Sequence, residues 1–249
     1  MDTTNQNQRI AVVTGASAGI GAATARTLAR EGFTVVCAAR RTENVQKLAQ
    51  EINGIAVTCD VTSDESVAEL ARAAGDRVDV LVNNAGGALG LEPVAEADLS
   101  AWQAMYDSNV LGAARVTKAL LPAVEAAEGE VIFITSVAAD GGYEGGAGYC
   151  GVKAAERSIV QAMRLELFDR PVRIAEVVPG MVHTDFSLNR FGGDAEKAEK
   201  VYAGVVDPLV AEDVAECIGF IATRPGHVNI DRMVIRPRSQ PAQHKIHRR

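Results

Sequence analysis

The amino-acid sequence predicts an α/β fold: one doubly wound parallel β-sheet of about seven strands, with helices on both faces. Three observations carry that expectation. Short apolar runs alternate with longer amphipathic stretches from Arg9 to Pro237. The short runs are apolar throughout instead of alternating with polar residues, which is how strands covered on both faces read. No linker, repeat or low-complexity stretch interrupts the alternation, so residues 9–237 read as a single domain.

Taken in order, "RIAVVTG" is a strand ending in a glycine turn, and "IGAATARTLAREG" is a helix closed by Gly32. "TVVCAAR" is the second strand, "NVQKLAQEI" a helix and "GIAVTCDV" the third strand. "DESVAELARAAG" opens with acidic residues, as the dipole at a helix N-terminus prefers. "VDVLVNNAG" is the fourth strand, a long helical region covers roughly Asp98 to Ala127, and "EVIFITS" is the fifth strand. "AGYCGVKAAERSIVQAMRLELF" is a helix, "VRIAEVVPG" a strand, "AEDVAECIGFIAT" a helix and "RMVIRP" the last strand. Residues 1–8 read as a flexible N-terminus, and the basic tail 238–249 as disordered or docked on a neighbouring subunit.

Composition narrows the function. A chain of 249 residues with 47% hydrophobic residues can bury one large core. A net charge of -7 argues against general attraction to nucleic acid or anionic membrane. No apolar run approaches the ~20 residues of a membrane span, and "MDTTNQNQR" lacks the apolar centre of a secretory signal. Cys37, Cys59, Cys150 and Cys217 are scattered without C-x-x-C spacing, so neither a metal site nor a disulfide framework is expected. Cys150 stands beside Tyr149 but has no histidine near it in sequence to activate it. Reduced thiols and a cytoplasmic location are the expectation.

The first turn, "TGASAGIG", joins strand to helix with Gly15, Gly19 and Gly21 in G-x-x-x-G-x-G spacing, Ser17 and Ile20 between them. Glycines let the backbone turn sharply toward a pyrophosphate whose charge the helix N-terminus meets. An NAD-binding chain usually carries an acid about 20 residues further on; here Ala39 stands near that place, followed by Arg40 and Arg41. Guanidinium groups hold a 2′-phosphate by paired, charge-assisted hydrogen bonds, so NADP(H) is the expected cofactor; the other reading is two arginines beginning a solvated helix. Asp60 could accept from the adenine amine, with the Val61 backbone alongside. In "NNAG", Asn84, Ala85 and Gly86 let a flat nucleotide lie close, while Asn83 reads as a structural amide between strands. In "GYCGVKAAE", Tyr149 and Lys153 share one helical face just beyond the fifth strand, at the edge where open α/β sheets bind ligands.

These motifs, with Asn109, Ser136 and "PG" at Pro179 and Gly180, resemble the short-chain dehydrogenase/reductase family from about Arg9 to Pro237. The resemblance implies a Rossmann-type sheet. Within the family the chain is similar to NADP-dependent 3-hydroxy acid dehydrogenases, including those acting on serine and allo-threonine, through "NNAGGALGLEP", "NRFGGDAEKAEKVY" and "GHVNI". It implies that Tyr149 protonates the carbonyl oxygen during reduction and that Lys153 favours the phenolate and holds the nicotinamide ribose. Ser136 would hold the substrate oxygen, and Asn109 a water joining Lys153 to solvent; capping the next helix and acting as an interior amide are their alternatives. Thr184 would contact the nicotinamide amide or phosphates, and residues 181–205 would form a mobile lid. Arg190, Lys197 and Lys200 are candidates for a substrate carboxylate, though Glu196 and Lys200 also make an ordinary solvated pair. His183 enters the lid where "PGMVHTDF" is one residue short of the hydroxy-acid pattern, and Tyr143 is a possible pocket wall. A homotetramer is implied, with helices around 102–127 and 149–168 between subunits. Other ketones, aldehydes or secondary-metabolite carbonyls are the next substrate classes, and a non-catalytic NADP-sensing regulator the last reading.

Overall fold

Each apolar run of the sequence becomes a strand: β1 (Arg9–Thr14), β2 (Phe33–Ala39), β3 (Ile55–Thr58), β4 (Val80–Asn83), β5 (Glu130–Ile134), β6 (Arg173–Pro179) and β7 (Arg232–Ile235). The computed structural model describes residues 8–249, so the expected flexible N-terminus lies outside the described residues except for Gln8, which donates to Thr34 Oγ1. All strands pair in parallel, in the order β3-β2-β1-β4-β5-β6-β7.

The helices are α1 (Gly19–Arg30), α2 (Thr42–Glu51), α3 (Asp64–Ala74), α4 (Leu99–Tyr106), α5 (Gly112–Ala126), α6 (Ala147–Glu166), α7 (Phe186–Arg190), α8 (Ala195–Tyr202) and α9 (Ala211–Ala222). The expected long helix before β5 is α4 and α5 joined by a wider π turn, Asp107–Leu111, which carries Asn109. The expected lid contains α7 and α8, which the apolar pattern did not reveal. No helix among the described residues is long and apolar enough to cross a membrane.

Successive strand side chains point to opposite faces. Ala11 and Val13 therefore pack with Leu28 of α1 and Ile218 of α9, while Val12 packs with Leu70 of α3 and Leu120 of α5. Full burial of one such leucine contributes roughly 1.5–3 kcal/mol. Helices cover both faces of the five inner strands, which is why those carry no polar alternation, while the edge strands β3 and β7 stay partly exposed.

One charged pair sits at the opposite edge of the sheet from the glycine turn. Glu130 starts β5 beside Arg173 at the start of β6, with Oε2 3.0 Å from the guanidinium. Burial pushes the Glu130 carboxyl up to about 7, more than the Arg173 charge pulls it down. The folded value lies above the unfolded one of ~4.3. Glu130 thus contributes stability that is fully present below pH ~4.3 and lost as pH rises through about 7. Urea unfolding of the parent should lose on the order of 2–3 kcal/mol through this group between about pH 5 and pH 8. In Glu130→Gln that share of the slope should vanish; parallel pH profiles for the two proteins would contradict the assignment.

Candidate active site

Beyond the carboxyl ends of the strands lies a cleft of ≈ 1820 Å³, lined by residues that follow β1 (Gly15), β2 (Arg40), β3 (Asp60), β4 (Asn84), β5 (Ser136) and β6 (Gly180). Its centre is the junction of β1 with β4, where the strand order reverses and α/β sheets leave a crevice. The other expected cofactor residues, Ser17, Gly19, Ile20, Arg41, Val61, Ala85, Gly86, Tyr149, Lys153, Pro179 and Thr184, line the same cleft. Gly21 and Asn109 do not.

Gly21 acts by absence of bulk. A Cβ there would lie 2.4 Å from the Gly15 carbonyl oxygen and 2.5 Å from Asn84 Nδ2, so only glycine lets α1 begin this close to the turn. Gly15 takes a φ of +67°, which favours glycine. The turn is held to β4 by a residue the sequence reasoning missed. Thr14 Oγ1 accepts from the backbone N–H of Asn84 and of Ala85, each at 3.0 Å, and donates to the Val82 carbonyl at 3.2 Å. A threonine at the end of an apolar strand carries no signal of its own. Asn84 Nδ2 donates to the Thr14 and Gly15 carbonyls at 2.9 and 3.3 Å, so its amide pins the turn as well as facing the cleft. Asn83 is a buried structural amide, but it ties β4 to α5 instead of to a neighbouring strand, donating to Thr117 Oγ1 at 2.8 Å.

At the far end of β2, Arg41 Nε donates to Ser17 Oγ at 3.0 Å and joins the glycine turn to the start of α2. Arg40 and Arg41 line the cleft and make no ion pair among the described residues. Asp60 accepts from Thr62 N and Oγ1 at 3.0 and 2.8 Å, which holds its carboxyl below the usual range. Thr184 stands over the turn: a Cβ on Gly19 would meet its side chain at 3.5 Å. Backbone space, helix N-terminus and unpaired guanidinium groups together fit a dinucleotide bearing an extra phosphate.

At the middle of the cleft, Tyr149 is 8% exposed and Lys153 6%. Lys153 Nζ lies 5.9 Å from the Tyr149 ring centroid, and Ser136 lines the cleft with them. Ser136 Oγ accepts from Ala138 N at 3.1 Å, capping the short turn Val137–Asp140, the alternative reading of this serine. Burial raises the proton affinity of Tyr149, more than Lys153 and Ser136 lower it; Lys153 acts in the expected direction, toward the phenolate, and burial outweighs it. Cys150, next in sequence, is buried and its thiol is likewise pushed up, which leaves it inert.

Asn109 is fully buried in the π turn. Its Oδ1 accepts from Gly87 N at 3.1 Å, and its Nδ2 donates to the Gly87 and Met105 carbonyls at 3.1 and 2.8 Å. Its side chain fixes the loop after β4, the interior-amide alternative. Sequence reasoning also missed Glu156, whose Oε2 lies 2.6 Å from Lys153 Nζ.

Of the candidate carboxylate binders only Arg190 reaches the site. Its Cζ is 5.8 Å from the Tyr149 ring centroid, Nε donates to the Gly90 carbonyl at 2.6 Å and Nη1 to Tyr143 Oη at 3.1 Å. Lys197 and Lys200 are exposed and pair with Asp194 and Glu196 at 3.5 and 2.7 Å. His183 packs edge-on against Tyr202, 4.5 Å between centroids, within the lid. The tail corrects its expectation. Arg248 donates to the Ala203 and Val201 carbonyls at 2.6 and 3.0 Å, and Met181 N donates to Gln240 Oε1 at 2.8 Å, so it docks on the lid of its own chain.

The chain belongs to the short-chain dehydrogenase family, whose model matches residues 9–193. It is 56% identical over 241 residues to an uncharacterised oxidoreductase of Mycobacterium tuberculosis, spanning 96% of this chain and 95% of that one. It is 38% identical over 238 residues to the NADP-dependent 3-hydroxy acid dehydrogenase YdfG of Shigella flexneri, spanning 93% of this chain and 96% of that one. Among solved structures, the closed form of a serine dehydrogenase complexed with NADP+ superposes with a TM-score of 0.90 at 36% identity, covering 96% of this chain and all of the other.

The threonine clasp has a direct test. Thr14→Val keeps the shape but leaves two part-buried N–H groups without that acceptor, at a cost of about 1–3 kcal/mol. Its urea midpoint should fall, while Thr14→Ser should stay near the parent; equal midpoints for parent and valine variant would remove the clasp.

Proposed function

We propose that this protein is an NADP(H)-dependent oxidoreductase interconverting a small 3-hydroxy acid and its 3-oxo form, with Tyr149 as proton donor and acceptor. The observation that carries it is that Ser136, after β5, and Tyr149 and Lys153, on the first two turns of α6, line one cleft, with Lys153 Nζ 5.9 Å from the Tyr149 ring centroid. The cofactor supplies or takes the hydride. Arg40, Arg41 and Ser17 would hold its 2′-phosphate, with no acid at Ala39 to repel it. Gly15, Gly19, Ile20, Ala85, Gly86 and Thr184 would meet the phosphates and ribose, Asp60 and Val61 the adenine, and Pro179, Gly180 and Lys153 the nicotinamide end.

In reduction, Tyr149 gives its proton to the carbonyl oxygen while Ser136 holds that oxygen in place. Burial keeps the phenol protonated at neutral pH, as a donor must be. The Lys153 ammonium then steadies the phenolate left behind. Arg190 would take the substrate carboxylate: its guanidinium stands beside the Tyr149 ring and makes no ion pair among the described residues. Serine is itself a 3-hydroxy acid, so the relatives' names share one substrate class, with the carboxylate at one fixed remove from the reacting carbon. A second reading, an uncharged ketone or aldehyde, is favoured by the apolar wall of Leu89, Leu91, Phe186 and Phe191. The reading extends to a homotetramer in the cytoplasm. Exposed Leu165 and Phe168 at the end of α6 support the first, and four free cysteines the second.

NADPH oxidation with a panel of 3-oxo acids, ketones and aldehydes tests it. Tyr149→Phe should lower kcat by about 100-fold or more with NADPH binding intact. Turnover surviving in that variant would refute the acid role, and 3-oxo acids ranking last would refute the substrate class. Arg190→Met should raise KM for acetoacetate about 10-fold or more while kcat changes little; an unchanged KM would release Arg190 from the carboxylate.

A further inference from the structure

Inside the protein, Lys153 Nζ has two partners: the Ile134 carbonyl, to which it donates at 3.1 Å, and the Glu156 carboxylate at 2.6 Å. Glu156 lies one turn further along α6 and is 3% exposed. The groups around it are Lys153 and Tyr149 on its own helix and Glu176 on β6. The neighbouring arginines are taken. Arg157 and Arg232 approach Glu176 at 3.1 and 3.3 Å, and both also pair with Asp140, which Arg236 approaches at 3.5 Å. Thr135 Oγ1 donates to Glu176 at 2.6 Å. Among the described residues, Lys153 is the one cation paired with Glu156.

Buried charges persist only when paired. Burial disfavours the Lys153 ammonium, and Glu156 together with Tyr149 more than restores it. Burial, with Glu176 adding to it, disfavours the Glu156 carboxylate more than Lys153 favours it, so the carboxylate depends on that one cation. We propose that Glu156 is a positioning residue of this active site: its carboxylate keeps Lys153 charged and pins the ammonium one helical turn from Tyr149. The proposal rests on the reading of Tyr149 and Lys153 as the acid–base pair.

The consequence has one sign. Carbonyl reduction needs the phenol and the ammonium both protonated, and Glu156 places a negative charge beside both. Removing that charge lowers the proton affinity of each, so the active form is lost at lower pH whichever proton leaves first. A residue that merely fills space would not move this limb.

The test uses full-length protein with NADPH and acetoacetate. The alkaline limb of kcat/KM should move to lower pH by about 1–2 units in Glu156→Gln and by less in Glu156→Asp, whose carboxylate sits one methylene further from Nζ. The Lys153 Nζ resonance in isotope-labelled protein, assigned by its loss in Lys153→Met, should titrate in the same order and needs no turnover. Should the glutamine variant not fold, the aspartate variant alone must show the displacement. A parent that oxidises no NADPH refutes the reductase reading alone, because the Lys153 titration still decides the role of Glu156. Limbs and midpoints that coincide with the parent in a folded variant overturn the proposal, as does activity lost equally at every pH with an unmoved midpoint.

Discussion

The cleft depends on β1 and β4 lying side by side while the chain leaves them toward opposite faces of the sheet. Ala11, Val12 and Val13 pair in register with Val80, Leu81 and Val82. After β1 the chain turns into α1, packed on one face with Leu28; after β4 it passes to α5, packed on the other with Leu120. The two departures pull the backbone apart and leave room above the strand ends. That room survives only if the diverging segments are tied at their root. Thr14 and Asn84 supply the tie, and Gly21 lets α1 start without displacing it.

Charge is then distributed unevenly around this scaffold. At one edge of the sheet, Glu130 and Arg173 form a pair in which burial outweighs attraction, a cost with no evident chemical use. Near the cleft, Glu176 and Asp140 occupy three arginines, and Glu156 is left to Lys153. A buried ion pair contributes little net stability compared with apolar packing, because desolvation offsets the attraction. Its effect lies in geometry and protonation state. The ammonium beside Tyr149 is held by its own helix and by the end of β5, independently of anything bound in the cleft.

Sequence and structure agree where local pattern determines position. Apolar runs located all seven strands, the five inner ones because both faces of the sheet are covered there, and the glycine spacing located the first turn because a φ of +67° and a 2.4 Å approach leave no choice of residue. The site elements that were missed act through distant partners. Thr14 reaches Asn84 and Ala85 across two strands, and its hydroxyl looks like any β-branched strand residue in sequence. Glu156 carries no signal of its own, because nothing local says which face of α6 is buried beneath Lys153. The π turn at Asn109 was hidden by continuous helical periodicity. The tail has no apolar pattern because backbone carbonyls of the lid hold it, and those are invisible in side-chain chemistry.

The lid follows from the same tail and from Arg190. Arg190 donates to the Gly90 carbonyl while Gly90 N donates back to the Arg190 carbonyl at 3.2 Å, which bolts α7 to the loop after β4. On the other side, Arg249 N reaches the Gly204 carbonyl at 2.8 Å and Ser239 Oγ the Val206 carbonyl at 2.7 Å. Lifting the lid therefore breaks bonds on two sides at once, and the side nearer Tyr149 runs through the residue proposed to meet the substrate. A carboxylate arriving at Arg190 would draw on a guanidinium already bonded to Gly90 and Tyr143. On the proposed reading, substrate binding and the position of segment 181–205 would share one group, and closure over the reacting centre, which would exclude water from hydride transfer, would depend on the charge the substrate carries.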